Sequence, residues 1–119
     1  MNEMSPEMIE SAVERLRAIA DPTRIRILMR LRAAEANVSQ LSDEIGVAQP
    51  SMSKHLAQLR QAGLVKVRPE GAQALYSIRD DSVFGICDIV CSAVRQQHEE
   101  RARALGFAKS SASRRSNRS

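Results

Sequence analysis

The sequence predicts a mostly α-helical chain with one small β-hairpin, arranged as a winged helix-turn-helix. Residues 38–78 give the main reason, because a short helix, a tight turn at Gly46, a second helix and two short strands follow one another without a gap. With no Trp, one Tyr and two Phe in the chain, the core has to be aliphatic, and strands are usually richer in aromatic residues. The winged form of the helix-turn-helix requires this order of elements.

Two amphipathic helices are predicted before this motif. Ser5-Pro6-Glu7 supplies the N-cap, the first-turn proline and the acidic residue of a helix start, and apolar residues then recur at helical spacing up to Ala20. Asp21-Pro22 ends this helix and caps the next one, which ends near Ala33. The residues predicted to face inward from the second helix are Ile25, Leu28, Met29 and Leu31.

The helix-turn-helix itself is predicted to start after a connector, Glu35–Asn37. Ser39 is the expected N-cap of a brief helix that ends at Ile45, and Val38 is expected to form a very short strand. Gly46 suits the left-handed conformation that ends a helix tightly. The second helix is predicted over Gln49–Ala62, and its inward stripe consists of Met52, Leu56 and Leu59.

A hairpin and a long helix complete the predicted order. The expected strands are Val65–Arg68 and Gln73–Ile78, joined by a four-residue loop, because apolar and polar residues alternate along both. The last helix is predicted from about Asp81 to Leu105. Its apolar stripe consists of Val83, Ile86, Val90 and Val94.

Charge is distributed unevenly along the chain. Residues 108–119 hold four basic residues and no acidic one, which accounts for the whole net charge of +4. This low-complexity segment is expected to be a disordered basic tail that follows a domain spanning residues 1–107. Within that domain, residues 49–79 hold five basic residues and one acidic residue, whereas the flanking segments are both net negative. The positive charge therefore coincides with the motif, as a surface facing phosphates requires.

The outward face of the second motif helix is polar and can form hydrogen bonds. Glutamine can pair with adenine, serine allows close approach, and lysine can contact guanine or phosphate. A solvated polar face is the simpler alternative, but the preceding turn and the basic hairpin favour DNA binding. On the hairpin, Arg68 and Gln73 are predicted to contact the DNA backbone. The predicted DNA-binding residues on the helix are Gln49, Ser51, Ser53, Lys54, His55 and Gln58.

The chain resembles the ArsR/SmtB family of bacterial repressors over roughly residues 10–98. Three stretches carry the resemblance: Asp21-Pro22-Thr23-Arg24-Ile25-Arg26-Ile27-Leu28, Gln49–Val65 and Arg68-x-x-Gly71-x-x-x-x-Tyr76. Its strongest parts are Ser53-x-His55-Leu56 and Ala62-Gly63-Leu64-Val65. The resemblance implies a homodimer formed through the first and last helices. It also implies binding to an imperfect palindrome at the gene's own promoter, with release by an inducer that is often a metal or metalloid ion.

Neither of the two familiar metal sites of that family is retained. The short motif helix, Ser39–Ile45, lacks the Cys-x-Cys pair. On the last helix, only one of the four matching positions could bind a metal, whereas a zinc site needs about three or four protein ligands. The residues at those positions are Asp80, Ser82, Ala93 and Gln96. No cofactor is therefore expected to be required.

Cys87 and Cys91 are the remaining effector candidates. They lie four residues apart on the last helix, with His98 about 10 Å further along the axis, too far to share one ion with Cys91. Three interpretations stay open: apolar packing, a soft-metal or metalloid site completed by a second subunit, or a redox switch.

Other function classes have little support in the sequence. It contains no Gly-rich phosphate loop, no His-Glu-x-x-His and no Gly-x-Ser-x-Gly, so an enzyme is not expected. No apolar run approaches the roughly 20 residues of a membrane span, and the N-terminus lacks the features of a signal peptide. We therefore expect a cytoplasmic protein. A constitutive repressor without an inducer and a winged-helix module for protein contact remain the alternatives.

Overall fold

The computed structural model describes residues 3–106. The described residues form two compact units, one ending at Asp81 and the other beginning at Ser82. The predicted basic tail, residues 108–119, lies outside the described residues, as does Phe107. The predicted order of elements is confirmed. In chain order these are α1 (Pro6–Ile19), α2 (Pro22–Ala33), α3 (Val38–Ile45), α4 (Gln49–Gln61), β1 (Val65–Glu70), β2 (Gln73–Ile78) and α5 (Ser82–Ala104).

The first two helices start as the sequence predicts. The Ser5 hydroxyl accepts a hydrogen bond from the backbone N–H of Met8 at 3.2 Å. The Asp21 carboxylate accepts one from the backbone N–H of Arg24 at 3.0 Å. Each cap satisfies one of the N–H groups that a helix leaves without a partner in its first turn.

The buried face of α2 differs from the predicted one. Ile27, Leu28 and Leu31 are buried, whereas Ile25 is 37% exposed and Met29 is 48% exposed. At 100° per residue, Ile25 and Met29 lie about 160° and 200° around the helix from Ile27. The prediction for these two residues was wrong because a helix with apolar residues on several sides does not reveal by spacing which side is buried.

The start of α3 was also predicted wrongly. Asn37, not Ser39, is the N-cap, and Val38 is the first residue of the helix rather than a strand. The Asn37 side-chain oxygen accepts a hydrogen bond from the Gln40 N–H at 2.8 Å, and the Gln40 side chain accepts one from the Asn37 N–H at 2.9 Å. This capping box satisfies two donors at once, which a single Ser39 hydroxyl cannot do.

The hairpin is longer than predicted, and its loop is shorter. Strand β1 continues through Pro69 and Glu70, and Glu70 pairs with Gln73. The loop is therefore only Gly71-Ala72, with Gly71 at a φ of 61°. A two-residue hairpin turn often needs this left-handed value at its first position, which favours glycine. Pro69 is tolerated in β1 because β1 pairs only with β2 and therefore has an unpaired edge.

The core of residues 3–81 is aliphatic, as the composition predicts. Its fully buried large side chains come from α2, α3, α4, the connection after α4 and the start of β1, and each contributes about 1.5–3 kcal/mol by leaving water. They are Ile27, Leu28, Leu41, Met52, Leu56, Leu59, Leu64 and Val65.

Helix α5 has an apolar surface that faces solvent. Val83 and Phe84 are buried near its start. Further along the helix, four aliphatic side chains are 39–72% exposed. They are Ile86, Ile89, Val90 and Val94. None of the helices in residues 3–106 combines the length and the apolar character needed to cross a membrane.

The Asp21 cap makes stability depend on pH. The hydrogen bond from the Arg24 N–H lowers the pKa of Asp21, and the charges of Arg24 and His55 lower it further. Folding therefore favours the ionised carboxylate, so its contribution is present above the unfolded pKa of about 4 and is lost as the pH falls through the folded pKa.

We expect Asp21→Asn, which keeps a capping oxygen but no charge, to be less stable than the wild type at neutral pH by about 0.5–1 kcal/mol. The difference should shrink on acidification below about pH 4. Urea unfolding followed by circular dichroism across this range measures it. A difference that stays constant with pH would contradict the assignment.

Candidate nucleic-acid interface

The turn between α3 and α4 is held by the left-handed backbone at Gly46. Gly46 has a φ of 82°, and its N–H donates to the Ser42 carbonyl at 2.8 Å. The N–H of Val47 donates to the same carbonyl at 3.2 Å. After Ala48 the chain enters α4. Because Leu41 of α3 and Met52 of α4 are both fully buried, the two helices are braced against one core.

Five of the six helix residues predicted to contact DNA are exposed. They are Gln49, Ser51, Ser53, Lys54 and Gln58. His55 is the exception: it is half-buried. Its charge acts on Asp21, the N-cap of α2, and helps to lower the pKa of that carboxyl group. The structure thus associates His55 with the packing of α4 against the start of α2.

Gln58 lies apart from the other exposed residues. It is about 13 Å along the helix axis from Gln49. It lines a surface groove of about 680 Å³ together with α1 residues that include Val13 and Arg17. The exposed candidates within the first two turns of α4 are therefore Gln49, Ser51, Ser53 and Lys54.

The N-terminus of α4 has no side-chain cap. Its N-cap residue is Ala48, which has no hydrogen-bonding side chain, and Pro50 occupies the first turn. The first-turn N–H groups of α4 thus lack the side-chain acceptor that Ser5, Asp21 and Asn37 provide for α1, α2 and α3. Uncapped N–H groups and the helix dipole together favour a phosphate at this end.

The two hairpin residues predicted to contact DNA both have partners inside the protein. The Arg68 guanidinium donates from Nη2 and Nε to the two Glu35 carboxylate oxygens at 2.7 and 3.2 Å, and Nη1 pairs with Glu70. The Gln73 side-chain oxygen accepts a hydrogen bond from Asn37 Nδ2 at 3.0 Å. The hydrogen bond from Arg68 lowers the pKa of Glu35, and both carboxylates raise the pKa of Arg68.

Cys87 and Cys91 lie on one side of α5, as predicted. Both are free thiols; Cys87 is half-buried and Cys91 is exposed. Burial raises the pKa of Cys87, and the neighbouring Cys91 and Asp88 raise it further, so Cys87 holds its proton more firmly than an ordinary thiol. Within residues 3–106 no three His, Cys, Asp or Glu side chains are grouped so that they could hold a metal ion.

The sequence reasoning missed the part played by residues 35–37. Glu35 binds Arg68, Asn37 binds Gln73, and Ala36 pairs with Tyr76 of β2 as an isolated bridge. One signal was present, since Asn-x-x-Gln before an apolar run is a capping box, and it would have identified Asn37. Nothing local predicts the contacts of Glu35, because its partner lies 33 residues further along the chain.

Comparison with known proteins agrees with this geometry. A model described as "Bacterial regulatory protein, arsR family" matches residues 21–67. The transcriptional repressor SmtB of Mycobacterium tuberculosis is 37% identical over 94 residues, which is 79% of this chain and 67% of SmtB. The chain spans 55–67% of the length of the first curated relatives that it matches.

Two solved structures show the same fold. NolR from Sinorhizobium fredii is 34% identical, with a TM-score of 0.68 over 78% of this chain and 96% of NolR. The homodimeric winged helix-turn-helix domain Mb0332 of Mycobacterium bovis has a TM-score of 0.71 over 84% of this chain and 95% of that one, at 24% identity. The curated relatives matched here are named as transcriptional regulators rather than enzymes. The chain therefore belongs to the ArsR/SmtB family of winged helix-turn-helix transcriptional regulators.

Proposed function

We propose that this protein is a homodimeric, sequence-specific DNA-binding repressor whose α4 enters the major groove. The observation that carries the proposal is a set of exposed polar residues at the start of α4, directly after the Gly46 turn along the chain. They are Gln49, Ser51, Ser53 and Lys54. In helix-turn-helix proteins the N-terminal residues of the second helix contact the base edges. Membership of a family of transcriptional regulators supports the same interpretation.

The chemistry of these exposed residues suits both base reading and backbone contact. A glutamine amide can donate to N7 and accept from N6 of one adenine, and this pairing distinguishes adenine from the other bases. Lys54 adds a charge for guanine or phosphate, and the uncapped start of α4 adds N–H donors for a phosphate. A regulator that binds chromosomal DNA in this way works in the cytoplasm.

A dimer is supported by apolar surface on the first and last helices. In α1, Ile9 is 49% exposed and Leu16 is 50% exposed, and α5 carries the exposed stripe of Ile86, Ile89, Val90 and Val94. Large aliphatic side chains exposed on each of these helices usually mark an interface. The Mb0332 domain, which has the same fold, is homodimeric. Two-fold symmetry then favours a palindromic operator with half-sites about one helical turn, or a multiple, apart.

The effector is open between three alternatives. Cys87 and Cys91 could bind a soft metal or metalloid ion with help from the second subunit, could act as a thiol redox switch, or could simply pack at the interface. The raised pKa of Cys87 disfavours its thiolate, the form that binds metals and reacts with oxidants. The protein would be a constitutive repressor if neither chemistry operates. A protein-contact module is the remaining alternative.

The DNA-binding proposal predicts different effects for two α4 variants. Duplexes selected from a random pool by the wild type should share a two-fold symmetric motif. For that motif we expect Gln49→Ala to cost about 1–3 kcal/mol and to relax the preference over a scrambled duplex. Lys54→Gln should weaken binding to both duplexes and reduce the slope of log K against log salt concentration.

Fluorescence anisotropy over a range of salt concentrations measures both effects. Gln61→Ala is the matched control, because Gln61 is an exposed glutamine at the other end of the same helix. If the wild type binds no duplex at low salt, or if Gln61→Ala behaves like Gln49→Ala, the proposal fails.

The dimer proposal predicts that a charge on the α5 stripe separates the subunits. Val90 is 55% exposed in the single chain, so arginine can be accommodated there without disturbing the monomer fold. We expect Val90→Arg to shift the protein from twice the chain mass to the chain mass in sedimentation equilibrium. Asp88→Arg, at an exposed position about 160° around the helix from Val90 and about 100° from Ile89, should remain dimeric. Equal masses for the two variants would count against the stripe as the interface.

The effector alternatives are separated by a titration of the DNA complex. If a soft ion or an oxidant acts through the thiols, we expect it to release DNA from the wild type and not from the Cys87→Ser/Cys91→Ser double variant. The measurement is anisotropy of a labelled duplex during titration with Cd(II), As(III) or hydrogen peroxide. Identical curves for the two proteins would remove the cysteines as effector residues and leave a repressor without thiol input.

A further inference from the structure

The connector between α2 and α3, residues Glu35–Asn37, contacts the hairpin through all three of its residues. The middle residue makes backbone bonds in both directions. The Ala36 N–H donates to the Tyr76 carbonyl at 3.1 Å, and the Tyr76 N–H donates to the Ala36 carbonyl at 2.8 Å. Ala36 is fully buried, so these two bonds are shielded from water. The connector thus joins β2 through an isolated antiparallel bridge.

Asn37 links the hairpin to the motif helix. Its side-chain nitrogen donates to Gln73 of β2 at 3.0 Å, while its side-chain oxygen caps α3 through the Gln40 N–H at 2.8 Å. One side chain thus contacts both the wing and the first helix of the helix-turn-helix. Any displacement of β2 relative to α3 has to break at least one of these bonds.

Glu35 fixes the other strand of the hairpin. Its carboxylate accepts two hydrogen bonds from Arg68 of β1, in the bidentate geometry that restrains both partners most strongly. Glu70 pairs with the remaining Nη1 group of Arg68. Both carboxylates pair with Arg68, so its charge is already matched inside the protein and is less available to a phosphate.

We propose that Arg68 is a positioning residue, which fastens the wing to the connector instead of contacting the DNA backbone. The inference rests on the proposed DNA-binding function and revises the role that the sequence suggested for Arg68. A two-stranded hairpin is marginally stable alone. Its contacts through Glu35, Ala36 and Asn37 hold it at one angle to α3, and hence to α4.

The two possible roles of Arg68, positioning the wing and contacting phosphate, predict opposite effects of Glu35→Gln on DNA affinity. Glu35→Gln removes a negative charge and releases Arg68 from one of its two partners. If Arg68 contacts phosphate, binding should tighten. If Arg68 positions the wing, binding should weaken by about two- to fivefold, the size expected for loss of an exposed ion pair, although a negative charge has been removed.

Arg68→Gln provides a second, independent readout. We expect a similar loss of affinity with no change in the slope of log K against log salt, because no phosphate contact is lost. A phosphate contact would reduce that slope by about 0.9 for each copy. In the Glu35→Gln/Arg68→Gln double variant the loss should be no larger than in Arg68→Gln alone, because Arg68→Gln already removes the contact with Glu35.

The matched control is Glu44→Gln. Glu44 is also an exposed carboxylate paired with an arginine, since Arg30 Nε lies 2.6 Å from its Oε1, but this pair joins α2 to α3 without touching the wing. We expect the DNA affinity of the Glu44→Gln variant to stay within about twofold of that of the wild type. An equal loss in Glu44→Gln, or tighter or unchanged binding in Glu35→Gln, would overturn the proposal.

Amide hydrogen exchange on the DNA-free protein separates this proposal from the DNA-binding one. We expect Glu35→Gln and Arg68→Gln to speed the exchange of the Ala36 and Tyr76 N–H groups, and Glu44→Gln to leave them protected. Unchanged protection in the first two variants would overturn the positioning role whether or not DNA binds. A wild type that binds no duplex, with exchange as expected, would instead overturn the proposed function alone.

Discussion

The left-handed turn at Gly46 is the constraint on which the candidate interface depends. It ends α3 after eight residues and lets α4 begin three residues later, with both helices packed on one aliphatic core. A residue with a Cβ adopts this left-handed conformation only at a steric cost in free energy, whereas glycine adopts it without that cost. Lys54 is exposed because it lies about 160° around α4 from both Met52 and Leu56, which are fully buried.

Local signals predicted most of the fold from the sequence. Helix caps at Ser5 and Asp21, the glycine turn and the pairing of the two strands are each set by neighbouring residues, and the structure confirms them. The predicted alternation holds in β1 but not in β2. Two of the other errors share a cause. Which side of α2 is buried, and where α3 begins, depend on competition between several acceptable choices, and tertiary contacts or a second hydrogen bond decide the outcome.

The candidate site could be predicted only in part, for the same reason. The helical period predicts that all six candidate residues of α4 are accessible, and five of them are exposed. The environment of Arg68 could not be foreseen, since a charged residue on a strand face reveals nothing about a carboxylate 33 positions away. A positive segment in the sequence therefore need not be a positive surface, and here Glu35 neutralises part of it.

The two-residue turn at Gly71 has a consequence for how such a protein would distinguish one promoter from another. The tip of the hairpin, Pro69–Ala72, carries a single ionisable group, and that group is acidic. It has no arginine to insert into a narrow minor groove, the usual way in which side chains sense groove width. Discrimination between operators would then depend on the major-groove helix, so exchanging a few α4 residues between paralogues should transfer target choice almost completely.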